Sequence, residues 1–115
     1  MFATILVWVV AVIHLYFMYL EMIKWEAPRT RKVFGVSETL ARDTVKLAAN
    51  QGLYNGFIAG GLIVGCWSGN VQMTVYLLVC VAIAGLYALW WGIKPALIAQ
   101  TLPALLALVA VWLSL

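Results

Sequence analysis

The residues of this sequence that could do chemistry are a few polar side chains set within long apolar runs. His14 and Glu21 are seven residues apart, so on a helix they share a face and are separated by two turns, about 10 Å. At that distance they do not touch directly, although a water molecule or a polar group from another helix could join them. Further polar side chains lie in the later apolar runs: Asn50, Gln51, Tyr54, Asn55 and Gln100.

These residue types suit acid–base chemistry on a bound molecule. A carboxylate or an imidazole can move a proton, and amides can orient a carbonyl or a polar headgroup. Ionisable groups within a membrane segment are costly and are commonly functional. We therefore predict His14 and Glu21 as catalytic residues, and a set of ligand-binding residues: Asn50, Gln51, Tyr54, Asn55 and Gln100. The alternative is that the amides and Tyr54 only form hydrogen bonds between helices, with Glu21 solvated beside Lys24.

The second apolar run carries a stripe of small residues, one at every fourth position: Ala48, Gly52, Gly56 and Gly60. In water so many glycines weaken a helix, whereas in lipid they let a second helix approach closely. Gln51 and Asn55 adjoin this stripe, and Asn50 and Tyr54 point to nearly the opposite side. We predict that the stripe packs helices and that the same helix takes part in a homo-oligomer.

The helices that must position these residues are predicted to span a membrane. The chain has 115 residues, of which 66% are hydrophobic and 10% are charged, which is more apolar surface than a soluble domain of this size can cover. Spans of about 20 residues account for most of the length. The predicted fold is an all-α integral membrane four-helix bundle, a single domain over 1–115 with spans at about 2–22, 47–66, 71–91 and 96–115.

Every charged residue except Glu21 and Lys94 lies between residues 23 and 46. Pro28 ends any continuation of the first helix, and Ser37 followed by Glu38 is typical of a helix start. We expect the second helix to begin near Glu38 and to enter the membrane at about Leu47.

The basic residues also predict the orientation. All of them lie in the first and third loops, so both loops are predicted to be cytoplasmic and both termini to face away from the cytoplasm. This imbalance argues against a dual-topology drug exporter. The basic loop is expected to touch anionic lipid rather than nucleic acid.

The sequence predicts no metal site and no cofactor. Cys66 and Cys80 lie in different apolar runs and at different predicted depths, so we expect no disulfide between them. His14 is the single histidine, which excludes a His-rich metal site. No phosphate loop, zinc spacing or nucleophile elbow occurs.

Three segments carry a family resemblance: HLYFMYLE (14–21), PRTRKVFG (28–35) and AANQGLYNGF (48–57). Together they resemble the small bacterial membrane proteins catalogued as domain of unknown function 1304. The resemblance covers nearly the whole chain and implies four spans, but it brings no established activity.

A second resemblance is to the membrane-associated proteins of eicosanoid and glutathione metabolism, which are also four-span. It rests on Arg42, Lys46 and Asn50. The acidic residue expected a turn after the asparagine is absent, and Leu53 and Tyr54 stand there instead.

The leading functional hypothesis is a membrane protein with a cytoplasm-facing polar pocket for a small amphipathic or lipid-like molecule, with possible acid–base transformation of that molecule. One alternative is a small transporter or channel subunit, which would give substrate flux in proteoliposomes rather than product. A further alternative is a structural or partner-binding membrane protein, which would tolerate changes in the polar residues.

Overall fold

A computed structural model describes residues 1–115, and the fold is all-α without strands. Six α-helices and one π-helix follow one another along the chain. Their bounds are α1 Phe2–Met22, α2 Pro28–Phe34, α3 Glu38–Asp43, α4 Val45–Trp67, α5 Val71–Trp90, the π-helix Leu97–Thr101 and α6 Leu102–Trp112.

Two of these helices, α1 and α5, are long and apolar enough to cross a membrane. Both match their predicted spans to within a residue. Helix α6 is apolar but shorter, because the π-helix takes up the first turns of the predicted fourth span. Helix α4 is 23 residues long, and its three amides and its glycines lower its hydropathy below that of α1 and α5.

The charged segment 23–46 is more helical than expected. Pro28 ends no helix but occupies the first turn of α2, where its missing N–H costs nothing. Gly35 closes α2 with a left-handed φ of 68°, a conformation that glycine adopts without strain. The predicted cap at Ser37 is confirmed, since its Oγ accepts a hydrogen bond of 3.0 Å from the Leu40 N–H.

A helix begins at Glu38, as the sequence predicts, but it is the short α3, and Thr44 separates it from α4, which begins at Val45. The Thr44 hydroxyl donates to the Leu40 carbonyl at 2.7 Å, a type of bond that bends helices. The same hydroxyl accepts a hydrogen bond of 3.1 Å from Trp25 Nε1. The Thr44 hydroxyl thus connects the turn after α1 with the junction of α3 and α4 through hydrogen bonds.

The chain divides into two compact units, one made of residues 1–13 and 58–115 and the other of residues 14–57. We call them the terminal unit and the inner unit. The core of the terminal unit combines large aliphatic side chains such as Leu62 and Leu78 with fully buried alanines such as Ala104 and Ala107. Small residues at these positions let its helices pack closely.

At Gly85, helix α5 closely approaches the π-helix. A Cβ at Gly85 would clash with Thr101 Oγ1 and would lie 2.9 Å from the Thr101 nitrogen. Thr101 is buried and donates a hydrogen bond of 3.2 Å to the Ala82 carbonyl. The π-helix that presents Thr101 ends two residues before Pro103, whose missing N–H predicts a departure from regular α-helix in the preceding turn.

A cavity of about 240 Å³ also lies in the terminal unit, where the chain termini meet and the Met1 ammonium donates to the Leu115 carbonyl at 3.1 Å. Cys66 lines it together with Thr4 and Thr74. Cys66 and Cys80 are both free, as the sequence predicts, and both are half-buried.

Candidate functional site

Glu21 is a buried carboxylate held by two amides. It lies in the last turn of α1 with 1% of its surface exposed. Its Oε2 accepts a hydrogen bond from Gln51 Nε2, and its Oε1 accepts one from Asn55 Nδ2. Gln51 and Asn55 are one turn apart on α4 and so share a face. We call Glu21, Gln51 and Asn55 the Glu21 cluster.

The glycine stripe brings α1 close enough to α4 for these contacts. A Cβ at Gly52 would lie 2.6 Å from Met22 Cγ and 3.0 Å from Glu21 Cβ, and a Cβ at Gly56 would lie 2.7 Å from Met18 Sδ. The two helices therefore touch where Gln51 and Asn55 reach the carboxylate.

The other two residues of the stripe, Ala48 and Gly60, differ in their packing. Ala48 is buried, with 5% of its surface exposed, whereas a Cβ at Gly60 would meet nothing within 4 Å. Within the chain, helix packing therefore uses Ala48, Gly52 and Gly56 but not Gly60.

His14, the other predicted catalytic residue, is buried with 2% of its surface exposed. Its ring makes an edge contact with Phe17 at a centroid distance of 6.1 Å. The aromatic contacts continue from Phe17 to Phe34 at 6.0 Å and from Phe34 to Trp25 at 5.1 Å. His14 thus lies at one end of a row of aromatic contacts in the inner unit. The carboxylate oxygens of Glu21, by contrast, accept hydrogen bonds from amides.

The other predicted ligand-binding residues lie outside the Glu21 cluster. Asn50 and Tyr54 are exposed, which agrees with the helical angles that direct them away from Gln51 and Asn55. The Tyr54 ring makes an edge contact with Phe57 at 5.7 Å. Gln100 belongs to the terminal unit, where it is half-buried within the π-helix.

A cavity of about 160 Å³ adjoins Glu21. It is formed by the turn that follows α1, closed on one side by Val45 of α4. Lys24, Trp25 and Glu26 line it. Pockets for drug-sized ligands run from about 300 to 1,000 Å³, so this cavity alone is too small to enclose a drug-sized molecule.

Sequence reasoning did not find this cavity. The position of the turn depends on the bond from Trp25 to Thr44 and on the contact of Trp25 with Phe34. The signal for it in the sequence is weak: Trp25 lies three residues past the end of the apolar helix α1 and is followed by Pro28, which can start a new helix.

The described residues include no group of three or more His, Cys, Asp or Glu side chains placed to hold a metal ion. The chemistry that the Glu21 cluster can perform is therefore that of one carboxylate and two amides: hydrogen bonding, orientation and proton transfer.

Comparison with known proteins gives a family. The model of the family described as "Protein of unknown function (DUF1304)" matches residues 8–112. The chain is also 34% identical to the "Uncharacterized protein YpaA" of Lactococcus lactis subsp. lactis (strain IL1403) over 105 residues, covering 88% of each chain. No solved structure matches. The chain belongs to the DUF1304 family.

Proposed function

We propose that this protein is a four-span protein of the bacterial inner membrane that binds a small amphipathic or lipid-like molecule at the Glu21 cluster. In this proposal Glu21 exchanges a proton with the bound molecule. Gln51 and Asn55 hold the carboxylate in place, and His14 handles a proton deeper in the same helix. The observation that carries the proposal is the buried Glu21 carboxylate with both oxygens bonded to amides of α4.

The apolar character of α1, α5 and α6 supports the membrane location. In the proposed arrangement α4 is a further span, and the amides of Gln51 and Asn55 are tolerated because they bond to Glu21. Both termini face out, since the basic residues lie in the segment 23–46 and at Lys94.

The proposed orientation predicts which side of the membrane reaches each loop. With Cys66 and Cys80 replaced by alanine, a single cysteine is introduced as Ser68→Cys or Glu38→Cys, both at exposed positions. A membrane-impermeant maleimide added to intact spheroplasts should label Ser68→Cys only. Labelling of Glu38→Cys before the membrane is opened would contradict the orientation.

The ligand class can be tested by thermal stabilisation. Long-chain amines, fatty acids, fatty alcohols and phospholipids are added in turn to the purified protein. A compound at 100 times its Kd should stabilise the fold by about 2.7 kcal/mol. We expect at least one class to raise the Tm of the wild type, and we expect the Glu21→Gln variant to lose that rise.

The matched control is Glu38→Gln, which removes an exposed carboxylate that does not line the cavity and should keep the rise. An equal rise in Glu21→Gln would show that the cluster does not bind the compound. If a stabilising compound crosses proteoliposome membranes only when the protein is present, the protein is a transporter rather than an enzyme.

A further inference from the structure

Five exposed basic side chains of the inner unit form no ion pair within the chain. We call them the basic surface: Lys24, Arg29, Lys32, Arg42 and Lys46. Three carboxylates of the same segment are also exposed, yet none of them neutralises a member of this set. Arg31 is not included, because it is half-buried and its Nε donates to the Glu26 carbonyl at 3.3 Å.

Exposed aliphatic side chains alternate with these cations along the same segment. Ile23 is 69% exposed, Leu40 49% and Leu47 73%. Single exposed aliphatic residues are ordinary on any protein surface. Aliphatic side chains interleaved with unpaired cations on short helices are typical of segments that lie at the membrane interface, where the aliphatic groups enter the acyl region and the cations meet headgroups.

We propose that the basic surface binds the headgroups of anionic phospholipids. The inference rests on the membrane location proposed above, but not on the Glu21 cluster. The charge is complementary, since the five cations outnumber the three exposed carboxylates of the segment. Each basic residue close to an anionic membrane surface strengthens binding by about fivefold.

The test is lipid binding by the full chain in mild detergent, followed by native mass spectrometry. Phosphatidylglycerol and phosphatidylcholine are titrated separately. The wild type should bind phosphatidylglycerol more tightly, and the Arg29→Gln/Lys32→Gln double variant should lose roughly tenfold or more of that affinity. Raising the salt to about 0.5 M should weaken binding through screening.

The Arg29→Lys/Lys32→Arg double variant is the matched control, because it exchanges the two exposed side chains and keeps both charges, so affinity should change less than twofold. Equal binding of the two lipids by the wild type, or an equal loss in the charge-preserving variant, would overturn the inference. Displacement of the lipid by millimolar inorganic phosphate would also overturn it, since a free anion would then be the occupant. Unchanged Tm values show that the variants fold.

Cell fractionation distinguishes a failure of the lipid-binding inference from a failure of the proposed membrane location. Protein found in the soluble fraction would overturn both proposals. Protein in the membrane fraction without preference for phosphatidylglycerol would overturn the lipid inference alone.

Discussion

Replacing Gly52 with leucine should destabilise the protein by about 3 kcal/mol, at the upper end of the cost of overpacking. The first carbon of the new side chain would already lie 2.6 Å from Met22 Cγ and 3.1 Å from the Met18 carbonyl oxygen. The carbonyl oxygen belongs to the helix backbone and cannot move without moving α1. Leucine would therefore push α1 away from α4.

The same displacement should separate Glu21 from Gln51 and Asn55. The measurement is the Tm of Gly52→Leu in detergent, together with the ligand-dependent rise in Tm proposed for the wild type. Both should fall.

The control for this variant is Gly60→Leu, the same substitution on the same helix at a position where a Cβ meets nothing within 4 Å. It should leave the Tm nearly unchanged. Equal losses in Gly52→Leu and Gly60→Leu would mean that glycine itself, rather than the close approach of α1, stabilises α4.

The second large effect is expected from Asn55→Asp. This variant replaces an amide donor with a carboxylate beside the Glu21 carboxylate, so the buried site must either hold two like charges or take up a proton near neutral pH. Breaking a buried charged contact costs about 3 to 5 kcal/mol, and we expect a loss of that size in thermal or denaturant unfolding. Asn50→Asp is the matched control, because it makes the same chemical change at an exposed position of the same helix.

A reversed pair makes the test specific for the polar contact. In Glu21→Gln/Asn55→Asp the amide and the carboxylate exchange helices, so one donor again faces one acceptor. The double variant should recover much of the stability that Asn55→Asp loses, which a double-mutant cycle measures directly. Additive losses would contradict a direct interaction between the two side chains.

Part of the site follows from helical periodicity alone. The sequence predicts that His14 and Glu21 share one face of α1, and both are buried. Periodicity also separates Gln51 and Asn55 from Asn50 and Tyr54, and in the structure the first two bond to Glu21 whereas the other two lie outside the Glu21 cluster. A period of 3.6 residues is sufficient for both results.

The rest depends on contacts between distant parts of the chain. That Glu21 meets Asn55 follows from how α1 crosses α4, which local sequence does not encode. Helix α2 has 7 residues, too few to be stable alone, so its formation depends on packing such as the contact of Phe34 with Trp25. The break at Thr44 likewise depends on Trp25, which lies 19 residues earlier.

The central claim is that the Glu21 cluster binds a small molecule, and native mass spectrometry of the protein gently released from detergent tests it most directly. We expect a stoichiometric small molecule bound to the wild type and to Glu38→Gln, and its loss from Glu21→Gln and Asn55→Ala. Wild-type protein that is folded but carries no such molecule, or a molecule retained equally by all four proteins, would contradict the account. The cluster would then be a hydrogen-bonded contact that holds α1 against α4.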